Sequence, residues 1–162
     1  MNQKIENILK QFENLPRFED GRIDYTNSNK APVITCFVMY DKKLLLLKRS
    51  DKVNAYKGKW NAIAGFIDEI VPLEKKIYEE LEEELGIDKK HVSEIKVKEH
   101  FELYDEKINK TWIIFPVLAL LKKEPEIKID WEHTDYRWIN PEEIKNYDVV
   151  PGLDENLKRA LL

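Results

Sequence analysis

The stretch "GFIDEIVPLEKKIYEELEEELGI", Gly65 to Ile87, decides how this chain is read. Its second half places five glutamates in the eight residues Tyr78 to Leu85. Pro72 opens a helix where its missing N–H costs nothing, and Gly86 closes it. On a wheel of about 100° per residue, Leu73, Ile77, Leu81 and Leu85 form one apolar stripe with Tyr78 at its edge. Lys75, Glu79 and Glu82 fall on the opposite, solvated side. Glu84 falls inside the stripe, Glu80 flanks it, and Glu83 lies further round on the same side. Like charges three and four apart repel, and an ionised carboxylate bordering a core is costly unless paired, hydrogen-bonded or bound to a metal. No Lys or Arg follows within a turn. Lys76 reaches Glu80 at i,i+4, in the weaker orientation. Oxygen-only ligands at this density suit Mg²⁺ or Mn²⁺. The competing reading is a plain acidic, solvated helix face.

Working outward, Ile5, Ile8, Leu9 and Phe12 predict a helix over 3–14 that ends before Pro16. Residues 17–31 read as a polar connecting arm. "VITCFVMY" and "LLLLKR", separated by "DKK", predict a hairpin with at least one buried strand. "SDKVNAYKGK" is a loop, and "WNAIAGF" a strand that turns at Gly65. Beyond the helix, 94–104 and 111–121 predict two strands around "DEKINK", and "DYRWI" a short strand. "NPEEIKNY" predicts a helix with Asn140 as N-cap and Pro141 at its first position. "LDENLKRALL" predicts a terminal helix. Helices set among antiparallel-looking strands give an α+β class or an α/β/α sandwich.

A length of 162 residues suits one domain, 1–162. Within it, 1–31 form the helix and arm, 32–145 the core and 146–162 the C-terminal helix. With 43% hydrophobic and 36% charged residues the chain is globular rather than disordered. The net charge of −4 offers no general attraction to a nucleic-acid polymer or an anionic membrane, so a phosphate ligand needs a local basic group or a metal. The one cysteine, Cys36, lies in an apolar run and reads as core filler. The acidic, amphipathic N-terminus is unlike a signal peptide, and no apolar run approaches the ~20 residues of a membrane span. The expected compartment is the cytoplasm.

Gly65 to Ile87 resembles the Nudix box, G-x5-E-x7-R-E-U-x-E-E-x-G-U, with U a bulky aliphatic residue. Gly65 fits the first glycine. Glu80, Leu81, Glu83, Glu84, Gly86 and Ile87 fit the last eight positions at the family spacing. "GKW" before the box and "EHTDYRWINPEEI" after it also resemble the family, so the likeness covers roughly 32–145. Two positions depart from it: Val71 stands at the family Glu and Glu79 at the family Arg. In the family that pair braces the loop against the helix. Its joint loss strands no charge, yet it removes the brace and bears on catalytic power more than on metal binding.

The resemblance implies a Nudix-type α/β/α sandwich with a mixed sheet and a loop–helix–loop metal motif. It implies Mg²⁺-dependent (or Mn²⁺-dependent) hydrolysis of a pyrophosphate bond in a nucleoside diphosphate linked to another group. Carried over by position, the Ala64 carbonyl, Glu80, Glu83 and Glu84 are metal ligands. Glu80 and Glu83 are also candidate catalytic groups, with Glu132 as a base from a later loop. Arg49, Lys57 and Tyr104 are candidate substrate contacts, Arg49 through its planar fork of donors. Tyr56 is a further stacking candidate. On the competing reading Lys57 and Lys59 are solvated, and Trp60, Trp112 and Trp138 read as core. His133 reads as a partly exposed loop cap, and His91 and His100 suggest no zinc spacing. The expected partner is a small nucleotide, with a homodimer left open. The reading from a different class is a Nudix-fold nucleotide-binding or regulatory module without turnover, which Val71 and Glu79 favour and the retained Glu80, Glu83 and Glu84 oppose.

Overall fold

The computed structural model of the chain describes residues 2–162. Its centre is an eight-stranded mixed sheet. β1 (Lys30–Tyr40) and β7 (Lys110–Leu121) run parallel through the middle, paired from Lys30 with Thr111 to Met39 with Leu120. All the other strand pairings are antiparallel. The far edge of β1 is shared by β4 (Ile63–Phe66), along Val33–Cys36, and by β2 (Lys43–Arg49) at the hairpin end. β2 in turn carries β8 (His133–Ile139) and β3 (Trp60–Asn61). The far edge of β7 is shared by β6 (Phe101–Asp105) and β5 (Val92–Val97).

The pleat sends alternate residues to two cores. Cys36, Val38, Leu45 and Leu47 face one, with Phe37, Leu44 and Leu46 in the other. This is why "LLLL" is apolar throughout: each of these four leucines is at most 2% exposed and contributes roughly 1.5–3 kcal/mol by its burial. α1 (Asn2–Leu9) and α2 (Leu73–Leu85) cover the first face, through Ile5, Ile8 and Leu9 and through Leu73, Ile77, Leu81 and Leu85. α3 (Leu153–Ala160) covers the second with Leu153, Leu157 and Ala160. The layers are therefore α/β/α. Cys36 is buried in the first core, as expected of a filler. Among the described residues no helix is long and apolar enough to cross a membrane.

Several boundaries differ from expectation. The N-terminal helix tightens into a 3₁₀ turn at Lys10–Phe12. The first strand begins at Lys30, inside the expected arm. Pro72 is the N-cap of α2, one position before its first helical residue, and its carbonyl accepts from Lys75 N–H at 3.0 Å. The single strand expected over 94–104 is two, β5 and β6. Pro116 in β7 has no N–H to offer a partner, and its carbonyl takes Lys98 N–H at 2.8 Å where β5 leaves the ladder. "PEEIKN" is 3₁₀ rather than α-helical, though its expected cap is present: Asn140 N–H donates to Glu143 Oε1 at 2.8 Å. Trp60, Trp112 and Trp138 are half-buried at the rims of the cores rather than inside them.

Candidate active site

β4 and α2 meet at a glycine. Gly65 pairs with Ile34 of β1 and lies under the Glu80 side chain. A Cβ at this position would stand 2.7 Å from Glu80 Oε1 and 2.8 Å from its Cδ. Only glycine lets the carboxylate rest against the strand backbone. Ala64, whose carbonyl is a candidate ligand, adjoins this contact on β4 and pairs with Thr35.

Glu84 is the most enclosed of the three acids, at 3% exposure among the leucines of α2. Its Oε1 lies 3.8 Å from His133 Nε2, and its Oε2 is buried without a hydrogen-bond partner. Burial, then the Glu80 carboxylate beside it, pushes the Glu84 carboxyl up to about 11. Burial also raises Glu80, against the opposing pull of Lys76. Burial and mutual repulsion thus favour a protonated form of the Glu80–Glu84 pair when no cation is bound. Glu83 is exposed one turn from Glu80, and Glu79 is tied to Lys75 at 3.8 Å on the solvent side. The wheel sets Glu84 and Glu80 toward the core and Glu82 toward solvent as the structure does, but Glu83, expected on the core border, is exposed, and Glu79 is half-buried.

β8 closes the opposite wall. Its pairing with β2 slips between Lys48 and Arg49, so that Arg49 faces His133. Ser50 N–H donates to the Glu132 carbonyl at 2.7 Å, which fastens the loop before β8 to the end of β2. Half-buried Glu132 is raised above the ordinary carboxylate range by burial, then by Asp130 and Glu80. Burial lowers the Arg49 guanidinium, while the charges of Glu132 and Glu84 oppose that. Arg49 Nε donates to the Ala55 carbonyl at 3.0 Å. Its two terminal nitrogens have no hydrogen bond among the described residues, so they remain for an anion.

The structure thus brings Ala64, Glu80, Glu84, Glu132 and Arg49 to one region, with Glu83 exposed on the same helix. No hydrogen bond or ion pair among the described residues links Lys57 or Tyr104 to it. Lys57 is exposed on the β2–β3 loop, and the Tyr104 hydroxyl donates to Asn109 Oδ1 at 2.9 Å. Tyr56 is engaged by Asp105, and Lys59 by Asp148 at 2.7 Å. His133 corrects its expectation. It is buried at 6% exposure, facing Glu84 on one side and Asp130 Oδ1 at 3.3 Å on the other. Burial lowers its imidazole, and Asp130 works against that. The Asp130–His133 spacing was the available signal. Sequence reasoning also missed Asp68, which lies 3.6 Å from the Lys76 ammonium.

These donors fit a hard divalent cation: they are oxygens, they carry excess negative charge, and one buried oxygen of Glu84 has no partner. Among the described residues no three His, Cys, Asp or Glu side chains already converge on a point, and Glu83 is exposed.

The Nudix domain family model matches residues 29–160, and the chain belongs to that family. The chain is similar to nucleoside triphosphatase NudI of Escherichia coli O139:H28, with 25% identity over 134 residues, 78% of this chain and 93% of that protein. The fold resembles a MutT protein from Methanosarcina mazei Go1, with a TM-score of 0.64, 23% identity and coverage of 83% and 94%. It also resembles the Nudix domain of Shewanella oneidensis NrtR complexed with ADP ribose, with a TM-score of 0.65, 17% identity and coverage of 82% and 89%.

Proposed function

We infer that this chain is a divalent-cation-dependent Nudix pyrophosphohydrolase acting on a nucleotide-type substrate. The observation that carries the reading is Glu84: a buried carboxylate with an unpartnered oxygen, beside Glu80 on the Gly65 backbone. The family membership and the similarity to a nucleoside triphosphatase support it. The Ala64 carbonyl, Glu80, Glu83 and Glu84 would hold Mg²⁺ or Mn²⁺. When bound, the cation supplies neutralisation of the phosphate oxygens and a more acidic attacking water.

The other steps fall to protein groups. Arg49, with Nε anchored on Ala55, offers its terminal nitrogens to a phosphate and orients it. Glu132, whose carboxyl is raised by burial and by Asp130, accepts the proton of the attacking water. Lys57 and Tyr104, both exposed and unlinked to the acidic centre among the described residues, are the remaining candidate contacts for the rest of the substrate.

The test is incubation with a panel of nucleoside triphosphates, nucleoside-diphosphate sugars and dinucleoside polyphosphates, with Mg²⁺ or Mn²⁺, scored for phosphate, pyrophosphate and nucleotide products. Turnover that EDTA abolishes supports the reading. Nucleotide binding without turnover on any member would favour the binding module, for which the loss of the box Glu and Arg at Val71 and Glu79 speaks.

A further inference from the structure

We propose that Asp68 and Lys76 are the positioning pair of this centre, with the Lys76 ammonium, fixed by Asp68, holding the Glu80 carboxylate against Gly65. The inference rests on the hydrolase reading above. Lys76 is buried at 8% exposure and Asp68 at 5%. Lys76 Nζ stands 3.6 Å from Asp68 Oδ1 and 3.5 Å from Glu80 Oε1, and Arg22 Nη1 stands 3.6 Å from Asp68 Oδ2. Charges thus alternate from the N-terminal arm through the β4–α2 loop and helix α2 to the Gly65 backbone.

A lysine taken out of water is costly unless the site repays it through partners. This one has two, on different segments, and it joins them. The loop end of the chain is itself anchored. Ile23 N–H donates to the Asp68 carbonyl at 2.9 Å, and the Tyr25 hydroxyl donates to the Ile67 carbonyl at 2.6 Å. Asp68 Oδ1 has no hydrogen bond, so the Lys76 charge is what it answers to. Glu80 is then confined between Lys76 and the Gly65 backbone, where a Cβ would displace its carboxylate. Without the ammonium the carboxylate is free to rotate away from Ala64 and Gly65. The spacing agrees: Asp68 and Lys76 are eight residues apart, as are Val71 and Glu79, where the family pattern has Glu and Arg. The polarity, acid in the loop and base on the helix, is the same.

Lys76→Met, Lys76→Arg and Asp68→Asn of the full chain test this. Three readouts apply: folding by circular dichroism, Mn²⁺ affinity without nucleotide, and kcat and KM on the panel nucleotide the wild type cleaves. Lys76→Met is expected to fold, to bind Mn²⁺ about tenfold more weakly, and to lose about 30- to 100-fold in kcat with KM little changed. Lys76→Arg, which restores the charge, is expected to recover most of both. A folded Lys76→Met with wild-type Mn²⁺ affinity and kcat would overturn the proposal. Should Lys76→Met fail to fold, Asp68→Asn decides: about tenfold loss in kcat and Mn²⁺ affinity supports the pair, and wild-type values overturn it. A wild type inert on the whole panel overturns the hydrolase reading, while the Mn²⁺ comparison still decides the pair.

Discussion

Glu84 is held between the leucines of α2 and the His133 ring, and its Oε2 has no partner. Its carboxyl is raised from 4.5 to about 11, so the folded, metal-free protein keeps a proton that the unfolded chain gives up. A raised carboxyl contributes no penalty below its unfolded value, and stability is lost progressively as pH climbs from about 4.5 toward the folded value. Metal-free protein is therefore expected to melt at lower temperature as pH rises through 6–9. Glu84→Gln removes that slope and raises the metal-free Tm at pH 8 by about 3–6 °C, measured by calorimetry in EDTA. The same variant is expected to lose the Tm increase that Mg²⁺ gives the wild type. Gly65→Ala acts differently. Its Cβ meets the flexible end of Glu80 rather than backbone, so folding survives with a Tm change of only about 1–3 °C, while kcat falls about tenfold or more. Glu84 was legible in the sequence because helical angle alone puts it in the apolar stripe. The burial of His133 and the Asp68–Lys76 contact were not, since both depend on which loop the topology lays against α2.

At the scale of elements, α2 is a helix whose ends are written in the chain. Pro72 precedes it, and Gly86 follows it at φ 67, with its N–H on the Glu82 carbonyl at 2.9 Å. Gly86→Ala introduces both a left-handed alanine and a Cβ 3.2 Å from Lys128 Cβ. It is expected to lower unfolding free energy by about 1–2 kcal/mol in urea titration, without changing kcat under folding conditions. The helix was legible because its stripe spans several turns between strong stop signals. The break between β5 and β6 was not. Its cause, Pro116, lies on the partner strand, and register across a ladder is invisible to local periodicity. The 3₁₀ form of Pro141–Asn146 was missed for a similar reason: cap chemistry is common to both helix types, and six residues cannot establish a period.

At the scale of the whole molecule, the N-terminal segment is part of the same body as the acidic helix. α1 and Phe12 share the first core with Leu73, Ile77 and Leu81, and Arg22, Ile23 and Tyr25 grip the loop at Ile67 and Asp68. Tyr25→Phe leaves the buried Ile67 carbonyl without this donor and is expected to cost about 1–2 kcal/mol of stability, read by denaturant unfolding. The order of helices and strands made the α+β class legible, and the net charge of −4 made legible that a phosphate needs a local basic group or a metal. The parallel β1–β7 pairing at its centre required the fold. The measurement that bears most directly on the account is the Mn²⁺ electron paramagnetic resonance titration of wild type against Glu84→Gln. The account predicts that the wild type quenches the free-ion signal with a Kd below about 1 mM, and that Glu84→Gln weakens this about tenfold or more. Equal binding by both proteins, or none by the wild type, would contradict it.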